Sequence, residues 1–315
     1  MNNRLPTMLL LLVALVLGAC SSTLVKDTEG FIDVDGGRIW YRVNGPTSRK
    51  TPLLLIHGGP GFSSYYLDRL QALSDERPVI FYDQLGGGRS DKPDDVKLWR
   101  VERFVDEVDK VRKALGLKEV HILGHSWGAT ILADYMLTKP SGVKSLIIGG
   151  PLLSASRWTA DAHRLVKTLP DAMQQAIAEA EATQNFDSDG YKAADDEYLD
   201  RYVCRVQPWP EELSKTFEMI NEQIYNTMWG PSEFGISGTL KNFERGEALS
   251  WLKIPVLFTV GRYDEATPES AEYFRGQIPG AKIKVFEHSA HVTMLEEPEA
   301  YIQTLRDYLR DVEAD

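Results

Sequence analysis

The sequence predicts an α/β fold: a mostly parallel central sheet flanked by helices, with an inserted helical cap. Three observations carry this. Short, nearly continuous apolar runs recur along the chain, as they do in strands of a sheet buried on both faces. Helix-length stretches alternate with them, and strand–helix alternation builds parallel sheets. One long interval, residues 152–249, breaks the alternation with helical periods and no good strand.

In chain order, Phe31 to Val34 and Arg38 to Val43 read as a hairpin around Asp35-Gly36-Gly37. The apolar runs Leu53 to Ile56, Val79 to Tyr82, Val120 to Leu123, Leu146 to Ile148, Val256 to Val260 and Ile283 to Phe286 follow as buried strands. Val101 to Leu115, Ala129 to Leu137 and Pro268 to Gln277 have helix length, and Pro298 to Val312 closes the chain as a last helix. The interval 152–249 carries 17 acidic and 9 basic side chains, a net of −8 within a chain of net −11. It reads as a cap whose ends lie near Pro151 and Trp251.

Composition excludes several classes. With 43% hydrophobic and 26% charged residues, the chain of 315 residues is neither disordered nor fibrous. Its 46 acidic against 35 basic residues argue against a nucleic-acid surface. Two cysteines rule out a disulfide scaffold and a multi-cysteine zinc site, and no His/Asp/Glu cluster has metal-ligand spacing. No metal and no cofactor are expected.

The N-terminus reads as an address. Met8 to Leu17 is an unbroken apolar run, too short to span a bilayer and suited to a secretory signal. It ends Leu17-Gly18-Ala19-Cys20, followed by Ser21-Ser22. This resembles the bacterial lipobox, which implies cleavage before Cys20, lipidation of that cysteine and anchoring to a membrane of the cell envelope. Ser21 resembles the sorting signal for the outer membrane, facing the periplasm, if the source has two membranes. Acylated Cys20 would leave Cys204 without an intrachain disulfide partner. The expected division is a signal peptide 1–19, a lipidated N-terminus and linker 20–29, a first part of the sheet domain 30–151, the cap 152–249 and a second part 250–315.

Three motifs carry chemistry. Gly124-His125-Ser126-Trp127-Gly128 is a G-x-S-x-G between a strand and a helix, the context in which a serine is held exposed as a nucleophile. His57-Gly58-Gly59-Pro60-Gly61 follows the third strand, where a loop N–H can join that of the residue after the nucleophile in holding an oxyanion. Gly59 and Trp127 are assigned to that hole. Asp264 and His291 each follow a strand and complete the order Ser…Asp…His, as acid and base to Ser126. Glu265 is the rival acid and His288 the rival base. His57 reads as a packing residue, and His125 as a supporting neighbour of the serine.

These residues resemble a known family. His57-Gly58-Gly59-Pro60-Gly61, Asp83-Gln84-Leu85-Gly86-Gly87-Gly88-Arg89-Ser90 and Gly124-His125-Ser126-Trp127-Gly128 are similar to the prolyl iminopeptidase family of α/β-hydrolases, as are Asp264 with Pro268, His291 with Glu296-Glu297-Pro298, and the cap segment Thr227 to Phe234. The resemblance implies the α/β-hydrolase fold and release of an N-terminal residue, often proline, from small peptide or amino-acid amide substrates. It places an amine-binding acid at Glu233, with Glu197 a second candidate in the acidic cap. An esterase or amidase with the same triad needs no amine clamp, and is the alternative. A non-catalytic envelope binding protein that has kept the fold is a third reading, against which the complete Ser126, Asp264, His291 set argues.

Overall fold

The structure, a computed structural model, describes residues 27–45 and 50–314. The apolar N-terminal run and Cys20 lie outside the described residues.

Eight strands form one sheet in the order β1-β2-β4-β3-β5-β6-β7-β8. β1 (Thr28–Val34) and β2 (Gly37–Asn44) make the expected hairpin, longer at both ends than the apolar pattern suggests. β3 (Leu53–Ile56), β4 (Val79–Tyr82), β5 (Val120–His125), β6 (Val143–Gly149), β7 (Val256–Gly261) and β8 (Lys282–Phe286) complete it. β2 runs antiparallel to both neighbours, and the pairs from β4 through β3 to β8 are parallel. β3, β4 and β5 are buried at every position. Helices cover both faces there, so no solvent side exists to demand alternation.

The helices bury apolar stripes. α1 (Val101–Ala114) turns Phe104, Val108 and Val111 inward at helical spacing. α2 (Trp127–Leu137) is buried almost all round. The β3–β4 connection, to which the sequence pattern assigns no element, is a 3₁₀ run, Tyr65–Asp75, that buries Tyr66, Leu67, Leu70 and Leu73.

Between β6 and β7 lie α3 (Ala155–Val166), α4 (Asp171–Thr183), α5 (Asp189–Tyr202), α6 (Glu211–Glu218), α7 (Glu222–Met228) and a 3₁₀ turn, Thr239–Asn242. The two ends of this segment are tied together. Ala155 N–H donates to the Phe243 carbonyl and Arg245 N–H to that of Leu153, each at 2.8 Å. Val166, Ile177, Tyr191, Tyr198 and Phe234 form a small core of the segment's own. After β7 come α8 (Pro268–Gln277), α9 (Thr293–Glu296) and α10 (Pro298–Ala314).

The strand order places the site. From β3 the chain crosses to β4 on one side, whereas β5 lies on its other side and leads on to β6. The loops leaving β3 and β5 therefore diverge and open a crevice at the carboxyl ends of these strands, the usual ligand position in open parallel sheets. The register pairs Ile56 with Gly124, so His57-Gly58-Gly59 and Ser126 emerge side by side.

At the opposite, amino-terminal end of the central strands, α10 is pinned. Its Tyr301, Leu305, Tyr308 and Leu309 face the core, and Glu313 meets the buried Arg77 guanidinium through two bonds of 2.6 and 3.2 Å. Burial works to raise the Glu313 carboxyl, but the Arg77 bonds and charge outweigh it and hold it below its ordinary value. Glu313→Ala takes its hydrogen-bonded counter-charge from a guanidinium only 1% exposed, leaving Glu76 at 3.9 Å. Losing the partner of a buried charged group costs about 1–3 kcal/mol. We expect a melting temperature lower by several degrees in circular dichroism, with turnover at 25 °C retained, because this end is remote from the crevice.

Candidate active site

Ser126 stands between β5 and α2 at φ +56° and ψ −123°. L-residues adopt this backbone only where surrounding structure imposes it. Here the imposition is steric. A Cβ on Gly128 would lie 2.2 Å from the Ile56 carbonyl oxygen, and one on Gly124 would lie 2.6 Å from that of Gly128. Glycine at both positions lets α2 start hard against β3. Ser126 N–H donates to the Gly149 carbonyl at 2.8 Å. Trp127 is the first residue of α2, so its N–H has no acceptor within the helix.

His291 is nearly buried and bonds through Nδ1 to Asp264 Oδ1 at 2.7 Å. Asp264 Oδ1 also accepts Ala266 N–H at 2.7 Å. The carboxylate thus accepts a hydrogen bond from Nδ1–H, and the free Nε2 lone pair is available as a base. Gly150 makes room for the pair: a Cβ there would lie 2.8 Å from two atoms of the imidazole. Ser126 and His291 line one cavity of about 430 Å³, together with Gly58 and Gly59.

Two networks hold the loops. His57 Nδ1–H donates to Gly58 O at 2.7 Å, and its Nε2 accepts Gln84 N–H at 3.0 Å. Burial depresses its pKa, so it stays neutral and fastens the glycine loop to the segment after β4. Gln84 Oε1 in turn accepts the Trp127 indole N–H at 2.8 Å. The second network runs through His125. Its Nε2 meets the His291 carbonyl at 2.9 Å, so Nε2 carries the proton. Burial, followed by the neighbouring His291, drives its pKa well down and keeps it neutral. Nδ1 is then an acceptor, filled by the Tyr66 hydroxyl at 2.9 Å, while Gly58 N–H donates to that hydroxyl at 2.7 Å. One chain of bonds therefore links the glycine loop to the backbone of His291.

The cap supplies acid. Glu233 lines the cavity and accepts a short hydrogen bond from Tyr225 Oη. Burial raises its pKa against the pull of Tyr225 and His291. Glu265, 5% exposed, lines it too, with Oε1 3.9 Å from His291 Nε2. Burial, then Glu233, Asp264 and Asp195, push its pKa well up. Asp195 is the third, raised to about 7 by burial and then by Glu233 and Asp196.

The sequence-predicted residues divide accordingly. Ser126, His291, Gly59 and Glu233 share the cavity lining, and Asp264 bonds His291 from behind. Glu197 is corrected: it does not line the cavity, and its Oε1 is held by Arg201 Nε at 2.7 Å. On α5 the buried stripe is Tyr191, Ala194, Tyr198 and Tyr202, and at 100° per residue Glu197 falls about 120° away from it. Asp195 falls beside that stripe and lines the cavity. His288, the rival base, is exposed. Glu265, weighed only as a rival acid to Asp264, faces the cavity in its own right. Tyr66 had no motif to mark it.

The comparisons with known proteins establish the family. Residues 51–298 match the family model described as alpha/beta hydrolase fold. A proline iminopeptidase of Heyndrickxia coagulans is 49% identical over 286 residues, covering 90% of this chain and 99% of the relative. Among solved structures, the proline iminopeptidase of Mycobacterium smegmatis superposes with a TM-score of 0.85 at 33% identity, covering 91% of this chain and all of that one. VinJ does so at 0.87 and 34%, covering 90% and 99%. The chain belongs to the proline iminopeptidase family of α/β-hydrolases.

Tyr66→Phe cuts the chain of bonds in its middle, leaving Gly58 N–H and His125 Nδ1 unpaired. An unpaired buried group costs about 1–3 kcal/mol. If the network positions the reacting groups, kcat falls roughly tenfold while KM moves little. Steady-state kinetics on a prolyl anilide checks this, and a loss confined to KM would contradict it.

Proposed function

We propose that this protein is a serine aminopeptidase that releases an N-terminal residue, preferentially proline, from short peptides. The observation that carries the reading is the meeting, in one cavity, of Glu233 and Glu265 with Ser126 and His291. An aminopeptidase must hold a cation beside the reacting carbonyl, and carboxylates in a partly dry pocket do so through charge-assisted hydrogen bonds. A general esterase has no use for them.

In the mechanism, Glu233 and Glu265 bind the substrate's ammonium and bring the first carbonyl over Ser126. Ser126 Oγ attacks as His291 Nε2 takes its proton, and Asp264 keeps the imidazole in the required tautomer and stabilises the imidazolium. The oxyanion points at the N–H groups of Gly59 and Trp127, one such donor being worth about 2.7–4 kcal/mol in other enzymes. His291 passes its proton to the departing amine, the C–N bond breaks, and an acyl-enzyme remains. A water, deprotonated by His291, attacks the ester and frees the amino acid and Ser126. Tyr225, donating to Glu233, keeps that carboxylate aimed.

The test is a substrate panel with Ser126→Ala as the blank: a free prolyl anilide, its N-acetyl form and a short neutral ester. Glu233→Gln preserves shape and removes charge. A hydrogen bond to a charged group is worth about 1.5–3 kcal/mol, so kcat/KM on the free anilide should fall roughly 10- to 150-fold. The neutral ester should lose far less. The acid side of the pH profile follows from the same groups. Carboxyls with raised pKa values become neutral as the pH falls, Asp195 from about 7. Acidification should therefore weaken binding of the charged anilide more than that of the ester. Ready cleavage of the N-acetyl anilide would remove the aminopeptidase reading and leave an amidase or esterase.

We further propose that Cys20 is lipidated and tethers the enzyme to the cell envelope, on the outer membrane facing the periplasm in a cell that has one. What supports this is the apolar run ending in Leu17-Gly18-Ala19-Cys20. Because one acyl chain anchors only marginally, two are required for a stable hold. β1 starts at Thr28, so the intervening residues 21–27 can reach at most roughly 25 Å and would keep the enzyme close to the bilayer. Cys20→Ser should shift the enzyme from the membrane to the soluble fraction with kcat/KM retained. Mass spectrometry of the native N-terminal peptide decides the matter, an unmodified Cys20 counting against it.

A further inference from the structure

The cavity has two ends of different chemistry, with Tyr225 between them. Its ring stacks on both Trp229 and Phe62, each at 6.0 Å. Beyond Trp229 come Trp158, at 5.3 Å, and then His291, at 6.0 Å from Trp158. Glu233 and Glu265 belong to this end, the first bonded to Tyr225 and the second beside His291 Nε2. Beyond Phe62 come Phe217, at 5.0 Å, and Trp209, a further 5.0 Å away. Leu213 and Ile220 complete that second wall, carried with Phe217 by α6 and its flanks.

Covalent structure confines the first residue of a substrate to the carboxylate end. In proline the amine is itself a ring atom, so a ring bound through its ammonium must lie against the clamp. In any other residue the side chain branches from the carbon that bears the amine. Trp158, Trp229 and Tyr225 are the walls such a residue meets. The second end lies past Phe62, and a first residue held by its amine does not extend there. Polar groups there are already committed: the Thr216 hydroxyl donates to Glu212 O and accepts Tyr66 N–H, and the Trp209 indole N–H donates to Asp200. An occupant of this end must therefore be apolar and need no hydrogen bonds.

We propose that Phe62, Trp209, Leu213, Phe217 and Ile220 form a leaving-side subsite, which takes an apolar side chain from the residue that follows the scissile bond. The inference rests on the aminopeptidase reading. It makes the enzyme selective at two positions, by charge for the first residue and by apolar burial for the second. Burying a Leu or Phe side chain in such a wall corresponds to roughly a 10- to 100-fold gain in kcat/KM over glycine.

The experiment measures kcat/KM of the full chain on dipeptide amides with proline first and glycine, alanine, leucine or phenylalanine second. The terminal amide removes a carboxylate that the acidic pocket would repel. We expect kcat/KM to climb from glycine to phenylalanine by about 10- to 100-fold. Phe217→Ala should lower the phenylalanine-to-glycine ratio about tenfold, and Phe217→Leu should restore most of it. A series flat within twofold in the wild-type enzyme overturns the subsite and leaves the aminopeptidase reading standing. So does a ratio unmoved in both variants, which assigns Phe217 to the architecture of the cap. Failure to cleave any free prolyl amide, with the neutral ester still hydrolysed, removes the aminopeptidase reading and this subsite with it.

Discussion

The site depends on how closely α2 approaches β3. Gly128 lies where any side chain would strike the carbonyls of Ile56 and His57, and Gly124 where one would strike Gly128 itself. With that approach allowed, the residue between them is forced into a left-handed backbone, and Ser126 is lifted over the end of the sheet. The same approach brings the start of α2 beside the glycine loop of β3. Protein interiors transmit strain because they are close-packed. An added methyl group at Gly128 would therefore push the helix off the strand and part the serine from the loop together. The bonds through His57, Gln84 and Trp127, and those through Tyr66 and His125, hold both partners at that distance.

The acidic cap poses an electrostatic problem. Glu233, Glu265 and Asp195 crowd one cavity; desolvation raises all three pKa values, and repulsion from neighbouring carboxylates adds to it at Glu265 and Asp195. Carboxylates so placed cost stability unless a cation or a proton compensates them. On the proposed reading the empty pocket holds protons, and the substrate's ammonium takes over the compensation when it binds. That exchange favours a charged N-terminus over a neutral group of the same size, because only a cation pairs with the carboxylates once the protons leave. Specificity then arises largely from what the pocket lacks before substrate arrives.

Much of this was legible in the sequence, for identifiable reasons. Strands buried on both faces appear as apolar runs, so β3 to β7 could be placed within a few residues. The serine turn could be read because close packing demands glycine at fixed spacing. The 3₁₀ run after β3 carries its own signal, Leu67, Leu70 and Leu73 at a period of three, which is shorter than the 3.6 of an α-helix. Tyr66 was missed, since its role comes from partners far along the chain at Gly58 and His125. Glu197 has the charge that an amine clamp needs, but the stripe of Tyr191, Ala194, Tyr198 and Tyr202 marks the inward face of α5 and puts Asp195 beside it. Glu265 adjoins Asp264, and proximity in sequence made the two look like alternatives when they face different tasks.

The molecule separates chemistry from selection along a structural line. On the proposed reading the chemistry belongs to Ser126, Asp264, His291 and the glycine loop 57–61, which all sit on turns at strand ends, where the sheet fixes them. Glu233, Asp195, Trp158, Trp229, Phe217 and Trp209 sit on the segment between β6 and β7, whose two ends are laced together at Leu153–Ala155 and Phe243–Arg245. Such a segment can change its lining without disturbing the sheet, since it is held by backbone hydrogen bonds and by side-chain bonds away from the lining, such as Arg245 to Asp134 and Ser270 to Asp161. Glu265 is the exception, an acid carried by the core but facing the cap. Its N–H donates to the Tyr202 carbonyl, as does that of His291 at 3.2 Å, so the end of α5 touches the acid and the base at once. Through that one carbonyl the position of the cap and the geometry of the catalytic loops are set against each other.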